Sequence, residues 1–407
     1  MLKVVNFFRL IMISIILLIL GLLVFGFYTV PDVIFRIEDE EPKGNSIYSL
    51  NYVITEGAKD FEKSESKNYE VKVSLFNAIP IKNSKMTISR RQFAVVSGDI
   101  FGLRLYTDGV IIVSTEKVDT PKGAVYPAEK AGLMKGDIII SVNGEAVHTH
   151  NQLSRIFSAY CGGPMRIVFE RDSQKHETFF EPEYSESQKK YIAGLWVRDS
   201  AAGIGTMTFF EKSSGVYAGL GHAVCDVDTG EVLPLYNGDI VDASITGCYK
   251  GTAGDAGELC GSFTSERIGS LLINEKDGVY GFLDRIPQGG EEMPVAMKNE
   301  VQTGKAQIVA SIDERGPQKF DIEIDKISSD GNDYRNMIIK VTDKALLEKT
   351  GGIVQGMSGS PIIQNGMLVG AVTHVFVNEP NRGYAIFAEY MIQKAKKIEQ
   401  SSISIAS

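Results

Sequence analysis

The sequence predicts a mainly β protein in which one membrane-spanning helix precedes two globular domains. Three observations lead to this prediction. The chain has 41 glycines among 407 residues, which exceeds average usage and indicates many tight turns. Beyond residue 190, short apolar runs alternate with Gly, Asp-Gly and Asn-Gly pairs, which is typical of an all-β sandwich or barrel. Near the N-terminus, an uninterrupted apolar segment is long enough to cross a bilayer.

The apolar segment at residues 10–30 is 21 residues long and carries no charge. As a helix it spans about 30 Å of hydrocarbon. Lys3 and Arg9 precede it and an acidic run at 38–41 follows it, so we expect the N-terminus in the cytoplasm and the bulk of the chain outside. The alternative is a cleaved signal peptide, whose apolar core is usually about 7–15 residues long. The sequence therefore favours an uncleaved anchor over residues 1–30.

Charge and cysteine content narrow the functional classes. The net charge is −9 and no block of Lys or Arg follows the first ten residues, which argues against a nucleic-acid partner. The four cysteines form no Cys-x-x-Cys pair, so we expect apolar cores to stabilise the chain. They are either free, as small buried side chains, or bridged as Cys225–Cys248 or Cys248–Cys260, with Cys161 apart from both. No metal-ligand cluster or phosphate-binding loop stands out, and we predict no metal and no cofactor.

Residues 31–95 predict a polar spacer that leads into a short β segment. Clusters of Glu, Lys and Ser over 31–68 are typical of a solvated linker. The alternation of apolar and polar residues over 69–89 is typical of strands.

Residues 96–182 form the first predicted domain. The sequence VYPAEKAGLMKGDIIISVNGEAV at 125–147 predicts a short helix, an apolar strand and a tight Asn-Gly turn, and it resembles the signature of a PDZ domain. Upstream, IFGLRLYTDGVIIV at 100–113 resembles the carboxylate-binding loop of that family and the strand after it. The resemblance implies that the loop offers backbone N–H groups to a chain-terminal carboxylate, while an extended peptide adds a strand to the sheet edge. The alternative is a degenerate PDZ domain that only packs on its neighbour. The predicted peptide-binding residues are Phe101, Gly102, Leu103, Arg104 and Leu105.

Residues 190–400 form the second predicted domain. Its apolar runs are short, and Asp-Gly and Asn-Gly turns separate them, as expected for strands of a sandwich or barrel. The sequence EYMIQKAKKIEQ at 389–400 predicts a helix that closes the domain.

The segment TGGIVQGMSGSPIIQNG at 350–366 gives the clearest chemical signal. Its Gly-x-Ser-Gly-x-Pro pattern resembles the nucleophile loop of chymotrypsin-like serine peptidases, which implies a double β-barrel; the alternative is a plain Gly/Ser turn. Gly356 and Gly359 permit backbone conformations closed to larger residues, so the loop can expose the Ser358 hydroxyl. The N–H groups of Gly356 and Ser358 then form an oxyanion hole. Met357 replaces the acidic residue frequent in that family, so activation by an ion pair with a freed N-terminus is not expected.

A serine hydroxyl needs an adjacent base to act as a nucleophile. Three of the five histidines lie in the PDZ-like domain, which leaves His222 and His374. His222 lies among small residues in YAGLGHAVCD, and we predict it to be the base. His374 lies in the apolar run GAVTHVFV, where a place in the barrel wall or core is the simpler interpretation.

The carboxylate that orients the base is not defined by position, because any of several aspartates could instead be a turn residue. The candidates are Asp226, Asp228, Asp239, Asp242, Asp255 and Asp343.

A wider resemblance selects one of these aspartates. The block from VTDKALLEKTGG through AVTHVFVNEP, together with GLGHAVCDVDTGEVLP, resembles the SpoIVB-type peptidases, stage IV sporulation proteins of endospore-forming bacteria. The likeness spans anchor, spacer, PDZ domain and peptidase. It implies that Asp343 of the VTD motif completes a triad with His222 and Ser358. Asp343 lies only fifteen residues before Ser358, closer than in a typical double-barrel enzyme, but geometry and not spacing defines a triad.

The same resemblance implies a place in sporulation signalling. Such proteins are made in the forespore and exported toward the space between forespore and mother cell. There they cleave a membrane-bound regulator, which activates an intramembrane metalloprotease and so late sigma-factor processing. Their PDZ domain is tied to self-cleavage in trans and to substrate targeting, and we expect self-cleavage of this chain within 31–90. Two other interpretations are a non-catalytic PDZ adaptor and a general envelope quality-control protease, a class that places the peptidase before the PDZ domain.

Overall fold

The computed structural model describes residues 2–30, 33–38, 48–53, 66–75, 78–288, 290–328 and 334–406. The chain divides into two compact units, residues 1–92 and residues 93–407. Strands dominate the second unit, in agreement with the predicted mainly β fold.

The first unit begins with the predicted apolar helix, α1 (Leu2–Thr29). Residues 9–28 have a mean hydropathy of 3.1, and by length and composition this helix is able to cross a membrane. Four strands follow it in the described part of the unit: β1 (Val33–Ile37), β2 (Tyr48–Val53), β3 (Ser66–Leu75) and β4 (Ile79–Ser89).

These strands form one sheet in the order β1-β4-β3-β2. The strands predicted over 69–89 are the antiparallel pair β3 and β4, in which Val71 lies opposite Ser84. Two stretches of the predicted spacer, 33–37 and 48–53, are also strands. The remainder of that predicted spacer lies largely outside the described residues.

The second unit contains twenty-two strands and four helices in its described residues. The strands are β5 (Phe93–Val96), β6 (Ile100–Thr115), β7 (Val118–Thr120), β8 (Gly123–Val125), β9 (Ile138–Val142), β10 (Glu145–Ala146), β11 (Met165–Arg171), β12 (Gln174–Phe180), β13 (Glu183–Ser185), β14 (Lys190–Ile192), β15 (Leu195–Phe210), β16 (Val216–Gly219), β17 (Leu235–Tyr249), β18 (Glu258–Glu275), β19 (Gly278–Leu283), β20 (Glu291–Pro294), β21 (Gly304–Ser311), β22 (Pro317–Ile327), β23 (Met337–Val341), β24 (Pro361–Gln364), β25 (Met367–Phe376) and β26 (Glu379–Phe387). The helices are α2 (Pro127–Lys130), α3 (His150–Ser158), α4 (Lys344–Thr350) and α5 (Ala388–Ala406).

A first barrel is formed by strands in the order β6-β17-β18-β19-β16-β15. It closes because β15 also pairs with β6. Alternate residues of β6 point into its core, where Phe101, Leu103 and Leu105 are buried together with Tyr217 and Leu271.

This barrel corrects the prediction that residues 101–105 form a carboxylate-binding loop. Leu103 lies opposite Gly203 of β15 on one side and opposite Ile240 of β17 on the other. The segment is thus a central barrel strand whose backbone pairs on both sides, so it has no free N–H groups to offer a peptide. Residues 100–106 therefore belong to the barrel and β5 (Phe93–Val96) pairs with its strand β15, so the predicted start of the PDZ domain at 96 lies too early in the chain.

The PDZ-like unit begins at the C-terminal end of the same strand, β6. Beyond Gly109, β6 stays paired with β15 but has β9 in place of β17 on its other side, and the sheet continues through β11 and β12. Helix α3 begins at a capping box in which the Thr149 hydroxyl accepts the N–H of Gln152. Its Leu153 and Phe157 pack with the sheet in one apolar core. The unit therefore shares a continuous strand with the first barrel.

A second closed barrel has the order β21-β22-β23-β26-β25-β24. Alternating buried residues of these strands, such as Ile322 and Ile324 of β22, fill its core. The two barrels together confirm the predicted double β-barrel. The predicted closing helix is α5, which places Met391 and Ile392 against Ala218 and Tyr280 of the first barrel.

All four cysteines are free thiols. Cys161 and Cys225 are exposed, while Cys248 and Cys260 are half-buried. Neither of the two disulfides left open by the sequence is present, and none of the four thiols is a fully buried core side chain.

Candidate active site

The loop that carries Ser358 depends on its two flanking glycines. Gly356 and Gly359 have φ angles of +93° and +97°, which other residues rarely adopt. A Cβ on Gly359 would lie 2.0 Å from the Thr206 carbonyl oxygen and 2.5 Å from the Leu220 nitrogen. The motif therefore allows this loop to lie directly against the first barrel.

Two threonines of β15 hold this loop from the first barrel. The Thr206 hydroxyl donates to the Gly356 carbonyl and the Thr208 hydroxyl donates to the Gly359 carbonyl, each at 2.8 Å. Sequence reasoning missed both residues. The available signal was a pair of hydroxyl side chains two positions apart on an otherwise apolar strand, which places them on one face.

The backbone N–H groups of the loop fall into two sets. Those of Met357 and Gly359 donate to the carbonyls of Val354 and Val372. Those of Gly356 and Ser358 have no protein acceptor within the described residues. These last two are the N–H groups that the sequence predicts for an oxyanion hole.

Met357 is completely buried in the core of the second barrel. Its side chain belongs to the same apolar cluster as Leu346 and Ile353, which fixes the loop to the core of the second barrel. An acidic residue at this position would need a buried partner for its charge, which gives a physical reason for methionine here.

The Ser358 hydroxyl donates to the carbonyl of Thr373 at 2.6 Å. Thr373 belongs to β25, and the next residue, His374, has its ring 4.6 Å from the ring of His222 between centroids. His374 thus lies beside the predicted base, half-buried in the barrel wall.

His222 follows β16 after a sharp turn. Leu220 and Gly221 have φ angles of +64° and +68°, and a Cβ on Gly221 would lie 3.0 Å from Thr373. His222 Nδ1 lies 2.7 Å from the Ala223 carbonyl oxygen. Because a carbonyl only accepts, Nδ1 of the neutral ring donates, and Nε2 keeps the lone pair that a base requires.

The surroundings of His222 favour the neutral ring. Burial is the largest influence on the pKa of His222 and lowers it. The Ala223 carbonyl opposes this effect, and the positive charge of Arg335 adds to it, so the pKa lies below the ordinary histidine value.

Thr206 joins the serine and histidine loops. Its backbone N–H donates to the Ser358 carbonyl at 3.0 Å, and its carbonyl accepts the Leu220 N–H at 3.2 Å. The loops are therefore neighbours, although no hydrogen bond between Ser358 and His222 occurs within the described residues. The Ser358 side chain has to leave the Thr373 carbonyl to make that bond.

Asp343 occupies a different place from the one predicted. It is the N-cap of α4, where one oxygen accepts the Leu346 N–H at 3.0 Å and the other the Asp321 N–H at 3.4 Å. It makes no hydrogen bond or ion pair with His222 in the part of the chain that the structure describes. The predicted Asp343–His222 contact is thus not formed in this structure.

Four of the five other aspartate candidates have structural roles in turns or ion pairs, and one of them, Asp228, pairs with Arg198 at 2.7 Å. Asp226 is buried and pairs with Arg198, and it also accepts the N–H of Asp228 at 3.0 Å. Asp239 pairs with Arg267 at 3.1 Å. Asp255 accepts the N–H of Gly257 at 3.1 Å, as a turn residue does.

Sequence comparison places this site in a known family. A profile of the SpoIVB peptidase S55 family matches residues 189–392, which is half of the chain. The chain belongs to the SpoIVB peptidase S55 family. The matching profile is that of a peptidase family, as the resemblance implied. A PDZ-domain profile matches residues 124–171, which confirms the predicted PDZ domain in this stretch.

Curated relatives share shorter stretches with this S55 chain. A putative zinc metalloprotease of Vibrio cholerae is 28% identical over 130 residues, which cover 32% of this chain and 26% of that protein. A putative zinc metalloprotease of Clostridium acetobutylicum is 25% identical over 116 residues, which cover 26% of this chain and 33% of that protein. The chain thus spans about a quarter to a third of the length of these relatives. The described residues hold no group of three or more His, Cys, Asp or Glu residues that could bind a metal.

Similar solved structures include two proteases. The active form of the Rv3671c protease from M. tuberculosis is 13% identical, with a TM-score of 0.26 over 46% of this chain and 70% of that one. The HtrA-type protease AlgW with a decapeptide is 11% identical, with a TM-score of 0.32 over 75% of this chain and 65% of that one. Scores of this size do not establish a shared fold, and the double barrel rests on the strand pairing described above.

Proposed function

We propose that Ser358 is the nucleophile and His222 the general base of peptide-bond hydrolysis in this S55 peptidase. The observation that supports this most is the meeting of the two loops at Thr206. The hydrogen bond from His222 Nδ1 to the Ala223 carbonyl is a second support, because it leaves the Nε2 lone pair for the serine proton.

The reaction follows the acyl-enzyme route. His222 removes the proton from Ser358 as the hydroxyl oxygen attacks the carbonyl carbon of the scissile bond. The N–H groups of Gly356 and Ser358 bind the oxyanion of the tetrahedral intermediate. His222 then gives its proton to the leaving amine, and water releases the acyl group by the same steps.

Two acceptors compete for the role of orienting His222. The Ala223 carbonyl holds Nδ1 in the structure, and we propose it as the orienting group of the resting enzyme. The motif resemblance instead assigns this role to the carboxylate of Asp343. The two proposals differ in the effect of Asp343→Asn, which is considered in the Discussion.

A fluorophosphonate probe tests the nucleophile directly, since it reacts with an activated serine. We expect labelling of the wild-type chain, and loss of labelling in Ser358→Ala and His222→Ala. Absence of labelling in all three proteins would support the non-catalytic adaptor.

For the substrate, we propose a membrane-bound regulator of sporulation whose cleavage activates an intramembrane protease. The family match and the apolar helix support this proposal. Co-expression of the wild-type chain with a tagged regulator should yield a shorter tagged product, which Ser358→Ala should not produce. Cleavage of unfolded casein at a similar rate would instead favour a general quality-control protease.

We propose a single-pass topology with the bulk of the chain outside the cytoplasm, as in the forespore intermembrane space of such proteins. The exposed thiols of Cys161 and Cys225 provide a test without added cysteines. A membrane-impermeant maleimide should label intact cells that express the wild-type chain, and it should not label the Cys161→Ser/Cys225→Ser variant. Labelling of the wild-type chain only after lysis would contradict the proposed topology.

We also propose self-cleavage in trans within residues 31–90, a stretch that lies partly outside the described residues. Its polar composition supports an accessible backbone. N-terminal sequencing of the wild-type chain and of Ser358→Ala should give different N-termini. Identical N-termini would exclude self-cleavage there.

A further inference from the structure

His374 contacts the proposed base directly through its ring. The centroids of the His222 and His374 rings lie 4.6 Å apart, and the two ring planes are inclined by 38°. At this distance and angle the rings lie face to face with a tilt, and not edge to face. His374 is half-buried, so part of its surface is covered by this packing.

An irregularity in β25 brings His374 to this place. Val372 lies opposite Ala385 of β26, and Val375 lies opposite Gly383. Two residues of β25, 373 and 374, therefore stand against one residue of β26. Such a two-against-one pairing is a β-bulge, a feature that is frequent beside active sites, where it redirects a side chain.

The bulge lets two successive side chains contact the same turn. In a regular strand, neighbouring side chains point to opposite faces. Here Thr373 Cγ2 lies 3.0 Å from the position that a Cβ on Gly221 would take, and the His374 ring packs on the ring of His222. The carbonyl of Thr373 also accepts the Ser358 hydroxyl. The bulge therefore lies between the histidine turn and the serine loop.

The proposed reaction places a positive charge on His222 in every cycle, because this ring takes the serine proton. Burial and the positive charge of Arg335 both disfavour that charge. The Ala223 carbonyl supports it through Nδ1. No carboxylate bonds the His222 ring in the part of the chain that the structure describes, so a further stabilising group beside the ring would favour the reaction.

The ring of His374 is suited to this task. An aromatic face attracts a cation that lies within about 6 Å of the ring centroid, and the attraction grows when the pair is shielded from water. The ring of His222 lies within that range. The attraction requires a neutral His374, because a charged ring would repel the imidazolium of His222.

We infer that His374 is a positioning residue that acts through His222: its neutral ring packs on the ring of His222 and stabilises the imidazolium that forms as Ser358 loses its proton. The inference rests on the proposed function, since it requires Ser358 and His222 in their proposed roles. It gives His374 a part in the reaction beyond that of a residue in the barrel wall.

Two substitutions of His374 separate the aromatic face from the rest of the side chain. His374→Phe keeps an aromatic face, His374→Leu has none, and neither new side chain titrates. The test measures the rate at which a fluorophosphonate probe labels the full-length chain in detergent micelles. At pH 8 we expect His374→Phe to react within about threefold of the wild-type rate and His374→Leu to react about tenfold more slowly.

The pH dependence of labelling gives a readout that a merely structural role would not move. An aromatic face that stabilises the imidazolium also raises the pKa of His222 relative to a chain without that face. Labelling from pH 4.5 to 9 should therefore show an acid limb at lower pH in His374→Leu than in His374→Phe, by up to about one unit for a tenfold effect. Arg335, the charged side chain that also acts on His222, stays protonated over this whole range.

His176→Leu is the matched control. The His176 ring also stacks on an aromatic ring, that of Phe169 in the PDZ-like unit, at 5.5 Å. This variant should keep the wild-type rate and acid limb, because it leaves the surroundings of His222 intact.

Three results would count against these expectations in different ways. Equal rates and acid limbs in His374→Phe and His374→Leu would overturn the inference. A loss of more than about a hundredfold in His374→Phe would overturn it as well, because His374 would then have to transfer a proton itself. Absence of labelling in the wild-type chain would instead refute the proposed function, and the inference with it.

His374→Gln covers the case in which His374→Leu fails to fold. Glutamine keeps hydrogen-bonding groups but has no aromatic face, so its labelling rate and acid limb should follow those expected for leucine. A folded His374→Gln variant that reacts as fast as His374→Phe would show that the aromatic face has no effect on His222.

Discussion

At the scale of single residues, the site depends on groups that orient the backbone of the nucleophile loop. Gly356 and Gly359 allow the loop to turn, and the hydroxyls of Thr206 and Thr208 fix the carbonyls of these two glycines. A hydrogen bond of this kind contributes about 1 kcal/mol to stability. We expect its effect on catalysis to be larger, because a small displacement of the proposed oxyanion donors weakens transition-state binding.

Replacement of Thr206 by valine tests this role. Thr206→Val keeps the shape of the side chain but removes the hydroxyl that holds Gly356, so we expect kcat to fall by about ten- to a hundredfold. Steady-state kinetics on a peptide substrate measures the effect. Thr246→Val is the control, because its exposed hydroxyl bonds the Cys260 carbonyl away from the loop. Equal kcat for Thr206→Val and wild type would show that the loop does not depend on this bond.

The pH profile tests the proposed base. His222 acts as a base only when neutral, and burial lowers its pKa below the usual value of about 6.5. As pH falls, activity should therefore persist below about 6.5 and be lost only when His222 becomes protonated. The measurement is kcat/KM from pH 4.5 to 9. A midpoint of the acid limb above about 6.5 would contradict the proposed environment of His222.

At the scale of elements, helix α4 ends where the nucleophile loop begins, and Asp343 caps the N-terminus of this helix. Asp343→Ala should lower the free energy of unfolding by about 1 kcal/mol, whereas Asp343→Asn should change it little, since asparagine caps as well as aspartate. Chemical denaturation measures both variants. An equal loss of stability in the two variants would contradict the cap.

Activity of the same variants separates the cap from a catalytic carboxylate. With the Ala223 carbonyl orienting His222, we expect Asp343→Asn to keep kcat within about tenfold of wild type. Loss of a triad carboxylate typically costs about 10⁴-fold in kcat. A loss of that size at unchanged stability would show that Asp343 reaches His222 during turnover.

Strand β15 is the element that connects the parts of the second unit. Its start pairs with the end of β6 in the PDZ-like unit, its Arg198 pairs with Asp226 of the turn after His222, and its Thr206 supports the serine loop. Asp226 is fully buried, while Arg198 is about one third exposed (32%). The strand therefore connects the PDZ-like unit to both loops of the proposed site.

Removal of Arg198 should destabilise this connection. Arg198→Ala leaves the Asp226 carboxylate buried without its ionic partner, and we expect a loss of about 1–3 kcal/mol in the free energy of unfolding at pH 7. Burial raises the pKa of Asp226. The hydrogen bonds that its carboxylate accepts from the N–H groups of Thr229 and Asp228 and from Arg198 outweigh burial and lower the pKa. The stabilisation is thus complete above the unfolded aspartate pKa of about 3.9 and is lost as pH falls through the lower folded value.

Arg155→Ala is the matched control for this prediction. Arg155 pairs with Glu145, and both side chains are more than half exposed, at 69% and 55%. Such a surface pair contributes little to stability. Equal losses for Arg155→Ala and Arg198→Ala would contradict the importance of the buried carboxylate.

At the scale of the second unit, residues 93–407, helix α5 follows the second barrel and covers part of the first. Met391 is fully buried against Ala218 and Tyr280. Met391→Ala removes this contact, and we expect a loss of about 2–5 kcal/mol in the free energy of unfolding. Lys397→Ala, on the exposed face of the same helix, should cost less than about 0.5 kcal/mol. A loss below about 1 kcal/mol in Met391→Ala would show that α5 adds little to barrel stability.

The amino-acid sequence alone was sufficient to predict the apolar helix, the β-rich fold, the PDZ domain and the serine motif. These features depend on local patterns: an unbroken apolar run, alternation along strands, and glycines at spacings that only certain loops use. The family resemblance added the link to the S55 peptidases. Local pattern also placed His222 and Ser358 in the loops that the folded chain brings together.

Only the tertiary structure decided which strands pair with each other and which backbone N–H groups Asp343 binds. The same apolar alternation at residues 101–105 fits a peptide-binding loop or a barrel strand, and pairing with β15 and β17 made it a strand. Asp343 became a helix cap because its nearest donors are the N–H groups of Leu346 and Asp321. The pairing of the start of β15 with the end of β6 was likewise not evident from the sequence, because strand pairing depends on contacts between residues far apart in the chain.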